Sequence, residues 1–254
     1  MSTIGLPVLF AAFVWWFATG ALLWLNGLPR RTYPWSLAGA TAVLTASVVG
    51  IVESAQDTTP GGAYCAFACA IAVWGWNEMA FLLGYATGPR REACGVGVRG
   101  WGRFLQASQA VLFHEVLIAA SGLIVAFATW SAPNRVAYWT FVILWVMRLS
   151  AKLNLFLGVR NLGEEFLPPR LRYLASYFTR KPMNALFPVS VTLGTLVTAV
   201  LAMRTVSPDA TEAVGSALLA SLLGLAVLEH WFMVLPISTT ALWEWGMRRR
   251  ESTA

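Results

Sequence analysis

The sequence predicts an all-α, polytopic membrane helical bundle with seven transmembrane helices, and three observations lead there. Of its 254 residues, 57% are hydrophobic and only 12% are charged, about half the roughly 25% charged fraction of soluble domains. The mean hydropathy of +0.63 excludes both a water-soluble globule and a disordered chain. Apolar runs of about 20 residues, the length a helix needs to cross a bilayer, recur along the whole sequence. The pI near 9.7 does not indicate nucleic acid as a partner. The 18 Lys and Arg residues are scattered between apolar runs and form no single basic face.

The runs cover residues 4–25, 35–52, 64–85, 104–130, 136–159, 183–203 and 213–236. The first has no Lys or Arg ahead of it, so it lacks the basic start of a signal peptide and reads as a retained span. Turn-forming stretches separate the runs: Leu28-Pro29-Arg30-Arg31, Thr59-Pro60-Gly61-Gly62, Thr87-Gly88-Pro89 and Ser207-Pro208-Asp209. The seventh run is expected to continue as helix to Trp245, with Pro236 as a kink. No internal repeat or linker interrupts the chain, so residues 1–254 read as a single transmembrane helical domain.

Basic residues orient the bundle. Arg30, Arg31, Arg90, Arg91, Arg99, Arg103, Arg160, Arg170, Arg172, Arg180, Lys181 and Arg248 to Arg250 fall in alternate loops and at the C-terminus. The opposite side carries Arg135 and Arg204 with Glu53, Asp57, Asp209 and Glu212. By the positive-inside rule the base-rich side is cytoplasmic, placing the N-terminus outside and the C-terminus in the cytoplasm.

Three further features have ordinary readings. Gly95-Val96-Gly97-Val98-Arg99-Gly100 matches G-x-G-x-x-G, but a dinucleotide site needs a strand before that loop, and here it joins two spans. Cys65 and Cys69 within a span, and Cys94 in a loop, read as small packing residues. In the loop 160–182, Leu171, Leu174 and Phe178 recur at helical spacing between arginines, which suggests a short amphipathic helix on the inner surface.

The informative residues are ionisable groups inside spans, which are expensive there unless paired or functional. They are Glu78 in the third span, His114 and Glu115 in the fourth, Arg148 and Lys152 in the fifth, and Glu229 and His230 in the seventh, accompanied by Asn77 and Asn154. Counted from flanking bases at about 1.5 Å per residue, Glu78, Glu115 and Arg148 all lie roughly 18 Å deep, and Glu229 falls near the Lys152 layer. One shared polar site explains this coincidence better than four independent placements.

Several readings of that site are open. Glu78, His114, Glu115, Glu229 and His230 make a ligand set for two metal ions, iron or manganese. Neither His-Glu pair has Glu-x-x-His spacing, however, and adjacent residues diverge by about 100° on a helix. Alternatively, the carboxylates meet Arg148 and Lys152 in a network that holds helices together. Pigment or quinone ligation by His114 or His230, and a proton-coupled transport path, complete the set. Trp74, Trp76, Trp139, Trp145 and Trp231 lie deep in spans and suit core packing or a flat hydrophobic ligand. Trp24, Trp35, Trp101, Trp130, Trp243 and Trp245 read as interfacial anchors.

The segments Trp76-Asn77-Glu78, Phe113-His114-Glu115, Lys152 to Leu167, Leu171-Arg172-Tyr173-Leu174, Lys181-Pro182-Met183-Asn184 with Leu186-Phe187-Pro188, and Glu229 to Met233 together resemble the PuhE-like photosynthetic complex assembly proteins of purple phototrophic bacteria. The resemblance implies a multi-pass protein of the bacterial inner (intracytoplasmic) membrane acting in photosynthetic complex assembly or bacteriochlorophyll supply. Its implied partners are the lipid bilayer, photosynthetic complex subunits and pigment-biosynthesis proteins, with bound bacteriochlorophyll as a candidate cofactor. It assigns no catalytic residues. The alternatives are a membrane di-iron or di-manganese oxidoreductase acting on a tetrapyrrole, lipid or isoprenoid, and a proton-coupled transporter.

Overall fold

The computed structural model describes residues 2–237 and 240–247. Seven of the described helices are long and apolar enough to cross a membrane. They are α1 (Ser2–Asn26), α2 (Tyr33–Ala55), α3 (Pro60–Leu82), α4 (Gly100–Ala128), α5 (Val136–Leu157), α6 (Leu186–Met203) and α7 (Ala210–Phe232), followed by a short α8 (Glu244–Met247). No strand forms among the described residues. The chain is an all-helical, multi-pass membrane protein, and the G-x-G-x-x-G loop opens α4 with no strand before it.

Local chemistry sets the helix starts. Pro60 takes the first position of α3, where a missing N–H costs nothing, and the Thr59 hydroxyl accepts from Gly62 N–H at 3.2 Å. Asp209 caps α7 by accepting from the N–H groups of Thr211 (2.7 Å) and Glu212 (3.2 Å). Buried Asn134 accepts from Val136 N–H and donates to the carbonyls of Ser54 (3.0 Å) and Asp57 (3.2 Å), tying together two turns at one end of the bundle.

Helices α3 and α7 are central. Their apolar windows are 61% and 50% buried, against 28% or less for the other five. Ala63, Ala66 and Ala70 let neighbours approach α3 closely, and Phe67, Ile71, Trp74, Ile118, Phe141 and Leu218 fill the core around it. Cys65 and Cys69 pack against Gly50 of α2, where an added Cβ would lie 2.7 Å from the Cys69 sulphur.

The base-rich end differs from the sequence expectation in three ways. Helix α7 stops at Phe232 and does not run on to Trp245, because Asn161 captures its last carbonyls: the side chain bonds Phe232 O at 2.7 Å and the N–H bonds Met233 O at 2.9 Å. Residues 240–247 then lie back against α1. Trp243 Nε1 donates to Trp16 O (3.1 Å), Trp16 Nε1 donates to Leu242 O (2.8 Å), and a Cβ on Gly246 would sit 2.6 Å from Gly20 O. Trp243 and Trp245 are therefore packing residues, not interfacial anchors.

The loop after α5 is likewise not an amphipathic helix on the membrane surface. Its 3-10 stretch Pro169–Tyr177 buries Leu171, Leu174 and Tyr177 against Phe81 and Ala110, with Tyr177 in the role expected of Phe178. Arg170 donates to Leu82 O at 2.8 Å, bonds Asn26 and stacks over Tyr33, which closes the C-terminal ends of α3 and α1. Thr179 N–H takes Leu155 O (2.9 Å) and its hydroxyl takes Phe156 O (2.8 Å) at the end of α5. Residues 158–181 thus cap four helices at once.

Candidate functional site

Five charged side chains from four helices line one cavity of about 940 Å³. Glu78 lies one turn before the end of α3, not a full 18 Å of helix from Arg90, because α3 stops at Leu82. Glu115 is midway along α4, Arg148 and Lys152 share one face of α5, and Glu229 is in the last turn of α7. Leu22, Leu23, Ile71, Trp74, Leu144 and Leu222 contribute to the apolar walls, and residues 161–167 form the floor.

The charges are partly matched. Arg148 Nη2 donates to Glu78 Oε2 at 3.2 Å, with Glu78 buried and the Arg148 side chain 46% exposed to the cavity. Lys152 Nζ donates to Glu115 Oε1. At the floor Arg180 Nη2 reaches Glu164 Oε1 at 3.5 Å. Glu229 has a different partner: Trp15 Nε1 donates to its Oε1 at 2.7 Å. Among the described residues no Lys, Arg or His comes within ion-pair distance of Glu229.

The remaining polar residues of the sequence reading lie elsewhere. His114 is fully buried against Phe81, with ring centroids 4.4 Å apart, and does not reach the cavity surface. Its Nε2 is 3.9 Å from Glu78 Oε1, and neither ring nitrogen has a hydrogen bond. His230 touches the cavity, but both nitrogens are engaged: Nδ1–H donates to Ala226 O (2.8 Å) and Nε2 meets the Ser150 hydroxyl (2.9 Å). Asn154 and Asn184 extend that cluster at 3.0 Å. Asn77 bonds Ser121 of α4 at 3.1 Å.

Of the two His-Glu pairs, Glu115, Glu229 and His230 reach the cavity and His114 does not. No group of three His, Cys, Asp or Glu side chains among the described residues converges on a point where a metal could bind. The donor set Glu78, His114, Glu115, Glu229 and His230 does not fit a di-iron or di-manganese centre, because the carboxylates of Glu78 and Glu115 are engaged by Arg148 and Lys152. Among the described residues, α3, α4, α5 and α7 have no internal break at their charged residues.

Of the deep tryptophans, Trp74 reaches the cavity. Trp76 turns to Thr41 of α2 (3.0 Å), and Trp231 packs on Phe187 of α6 with ring centroids 5.4 Å apart. Sequence reasoning missed Trp15, Asn161, Arg180 and the inward role of Trp243. A signal existed for Trp15: an indole N–H at the middle of a span is far from the interfaces where it usually finds a partner.

A family model described as "Protein of unknown function (DUF3623)" matches residues 1–254. The chain belongs to this family. It is 40% identical over 261 residues to a relative from Rhodobacter capsulatus described as "Uncharacterized 30.4 kDa protein in puhA 5'region", covering 100% of this chain and 94% of the relative. No solved structure matches. What the DUF3623 chain adds to that name is its geometry: an intramembrane cavity with charges from α3, α4, α5 and α7 turned into it.

Proposed function

We propose that this DUF3623 protein is an integral inner-membrane factor in photosynthetic complex assembly or bacteriochlorophyll supply. Its N-terminus is outside, its C-terminus is cytoplasmic, and the charged cavity is its working part. The observation that carries the reading is that cavity. At about 940 Å³ it lies in the size range of small-molecule and cofactor sites, and it combines apolar walls with a few placed polar groups. The relative's position in the puhA 5′ region, a photosynthesis gene region, supports the reading, as does the PuhE-like resemblance.

The geometry constrains how a pigment would be held. Axial ligation by histidine has no free donor at the cavity surface, since His230 is engaged and His114 is sealed. A bacteriochlorophyll or its precursor would instead rest on the apolar walls, with its polar substituents near Arg148 and Lys152. Photosynthetic complex subunits or pigment-biosynthesis proteins would receive or deliver it.

The test is deletion of the gene from a purple phototrophic bacterium, followed by complementation with the unchanged chain or with the double variant Glu78→Leu, Arg148→Leu. Loss of light-harvesting and reaction-centre absorbance on deletion, restored by the unchanged chain alone, is expected. Unchanged pigment and complex levels after deletion would overturn the reading.

A further inference from the structure

We infer that the cavity takes an amphiphile with an ammonium head group, seated at Glu229 beside the indoles of Trp15 and Trp243. The inference rests on reading the cavity as a ligand site, and it makes the resident guest a lipid that a pigment would have to displace. Charge matching comes first. The three bases that line the cavity, Arg148, Lys152 and Arg180, each already hold a carboxylate: Glu78, Glu115 and Glu164. Glu229 faces the same space with a neutral donor, the Trp15 N–H, on Oε1. Its Oε2 makes no hydrogen bond to another described residue. A carboxylate in such surroundings is stabilised by a cation that brings its own charge into the cavity.

The rings beside Glu229 specify which cation. Trp15 and Trp243 meet edge to face at 5.2 Å, and Trp243 meets Phe166 edge to face at 6.0 Å. All three line the cavity. Aromatic rings next to a carboxylate suit an alkylammonium, which is attracted to the ring quadrupole and gives up little hydration. A hard inorganic cation needs several oxygen ligands, and one carboxylate among indoles does not supply them. The hydrogen bonds of Trp243 and Leu242 with Trp16 hold the second indole in place. Beyond the head, the leucine-rich walls accept an alkyl chain, so the fitting guest carries both an ammonium and a tail.

Native mass spectrometry of the full chain, released from micelles holding equal phosphatidylcholine and phosphatidylglycerol, tests this. Preferential retention of phosphatidylcholine by about tenfold, equivalent to about 1.4 kcal/mol, is expected, with Glu229→Gln abolishing the preference. Dodecyltrimethylammonium should compete, whereas tetramethylammonium, which has the head without the tail, should not. Equal retention by the unchanged chain and Glu229→Gln would overturn the inference. So would competition by tetramethylammonium as strong as by the long-chain ion, or a preference for phosphatidylglycerol.

A measurement on the unmutated chain guards against a misfolded variant. Labelling of Glu229 by dicyclohexylcarbodiimide, mapped by peptide, should be blocked by dodecyltrimethylammonium, and labelling that persists counts against the inference. Because these readouts concern binding alone, they fail independently of the deletion phenotype.

Discussion

Helix α5 carries two polar stripes that face opposite ways. Arg148 and Lys152 turn to the cavity. Ser150 and Asn154, two residues on from each and so about 200° around the helix, turn to α6 and α7. The second stripe is closed on itself. Ser150 meets His230 and Ser190 at 2.9 Å each, Asn154 donates to Ser150 O at 3.0 Å, and Asn184 donates to Asn154 Oδ1 at 3.0 Å. The first stripe makes ion pairs yet keeps unused capacity, since Arg148 spends one terminal nitrogen on Glu78 and opens the rest to the cavity. A matched set of neutral donors and acceptors holds helices together, whereas charges bordering a void retain valences for a guest. A polar residue inside a span therefore marks a site only where its bonding capacity exceeds what the protein supplies.

The comparison can be broken most sharply at the ion pair. Arg148→Leu strands Glu78, which is only 7% exposed, and should lower stability by about 3 kcal/mol. Glu78→Leu should cost less, because Arg148 already opens to the cavity. The double Leu variant should recover most of the loss in thermal unfolding in detergent, yet fail to complement the deletion. Equal costs for the two single variants would mean that the cavity does not solvate Arg148.

The closed stripe should behave in the reverse manner. Asn154→Leu removes the Oδ1 that Asn184 donates to and the amide that donates to Ser150 O and Ser190 Oγ, and should cost about 2 kcal/mol, while pigment and complex levels per folded molecule stay as they were. A functional loss equal to that of the Arg148 variants would erase the distinction. Gly246→Ala acts on the cavity wall from a distance, because its Cβ would meet Gly20 O at 2.6 Å. A cost of about 1 kcal/mol is expected, with a tryptophan fluorescence change as the segment bearing Trp243 leaves α1.

The smallest effect belongs to a charge outside the bundle. Hydrogen bonds from the Thr59 hydroxyl and then its N–H hold the half-buried Asp57 carboxyl below its ordinary value. A carboxyl lowered in the folded state stabilises above its unfolded value, near 3.9, and loses that contribution as pH falls through the lower folded value. Unfolding profiles of the unchanged chain and Asp57→Ala should run parallel above about pH 5 and draw together below it.

The spans were legible because burying a backbone in lipid demands about 20 apolar residues in a row, a pattern independent of neighbours. The presence of polar residues on α3, α4, α5 and α7 was legible for the same reason, since each breaks that pattern. Their partners were not. Helical depth brought Glu78 and Glu115 to one layer, but depth carries no azimuth. Rotation about α4 seals His114 behind Phe81 while it turns Glu115 to Lys152. Arg170 and Arg103 illustrate the same limit for the loops. Counted as bases they suggest topology, but Arg170 bonds Leu82 O at the end of α3, and Arg103 bonds Thr179 Oγ1 beside the end of α5.

The sequence by itself determined a seven-helix membrane protein with a few misplaced charges, because hydropathy and span length are local properties. Only the tertiary structure decided that Glu78 pairs with Arg148 and Glu115 with Lys152, that Trp15 meets Glu229, and that the chain after α7 returns to α1 to complete the wall. Those outcomes depend on helix rotation and on contacts up to 227 residues apart, quantities that no local stretch of sequence encodes.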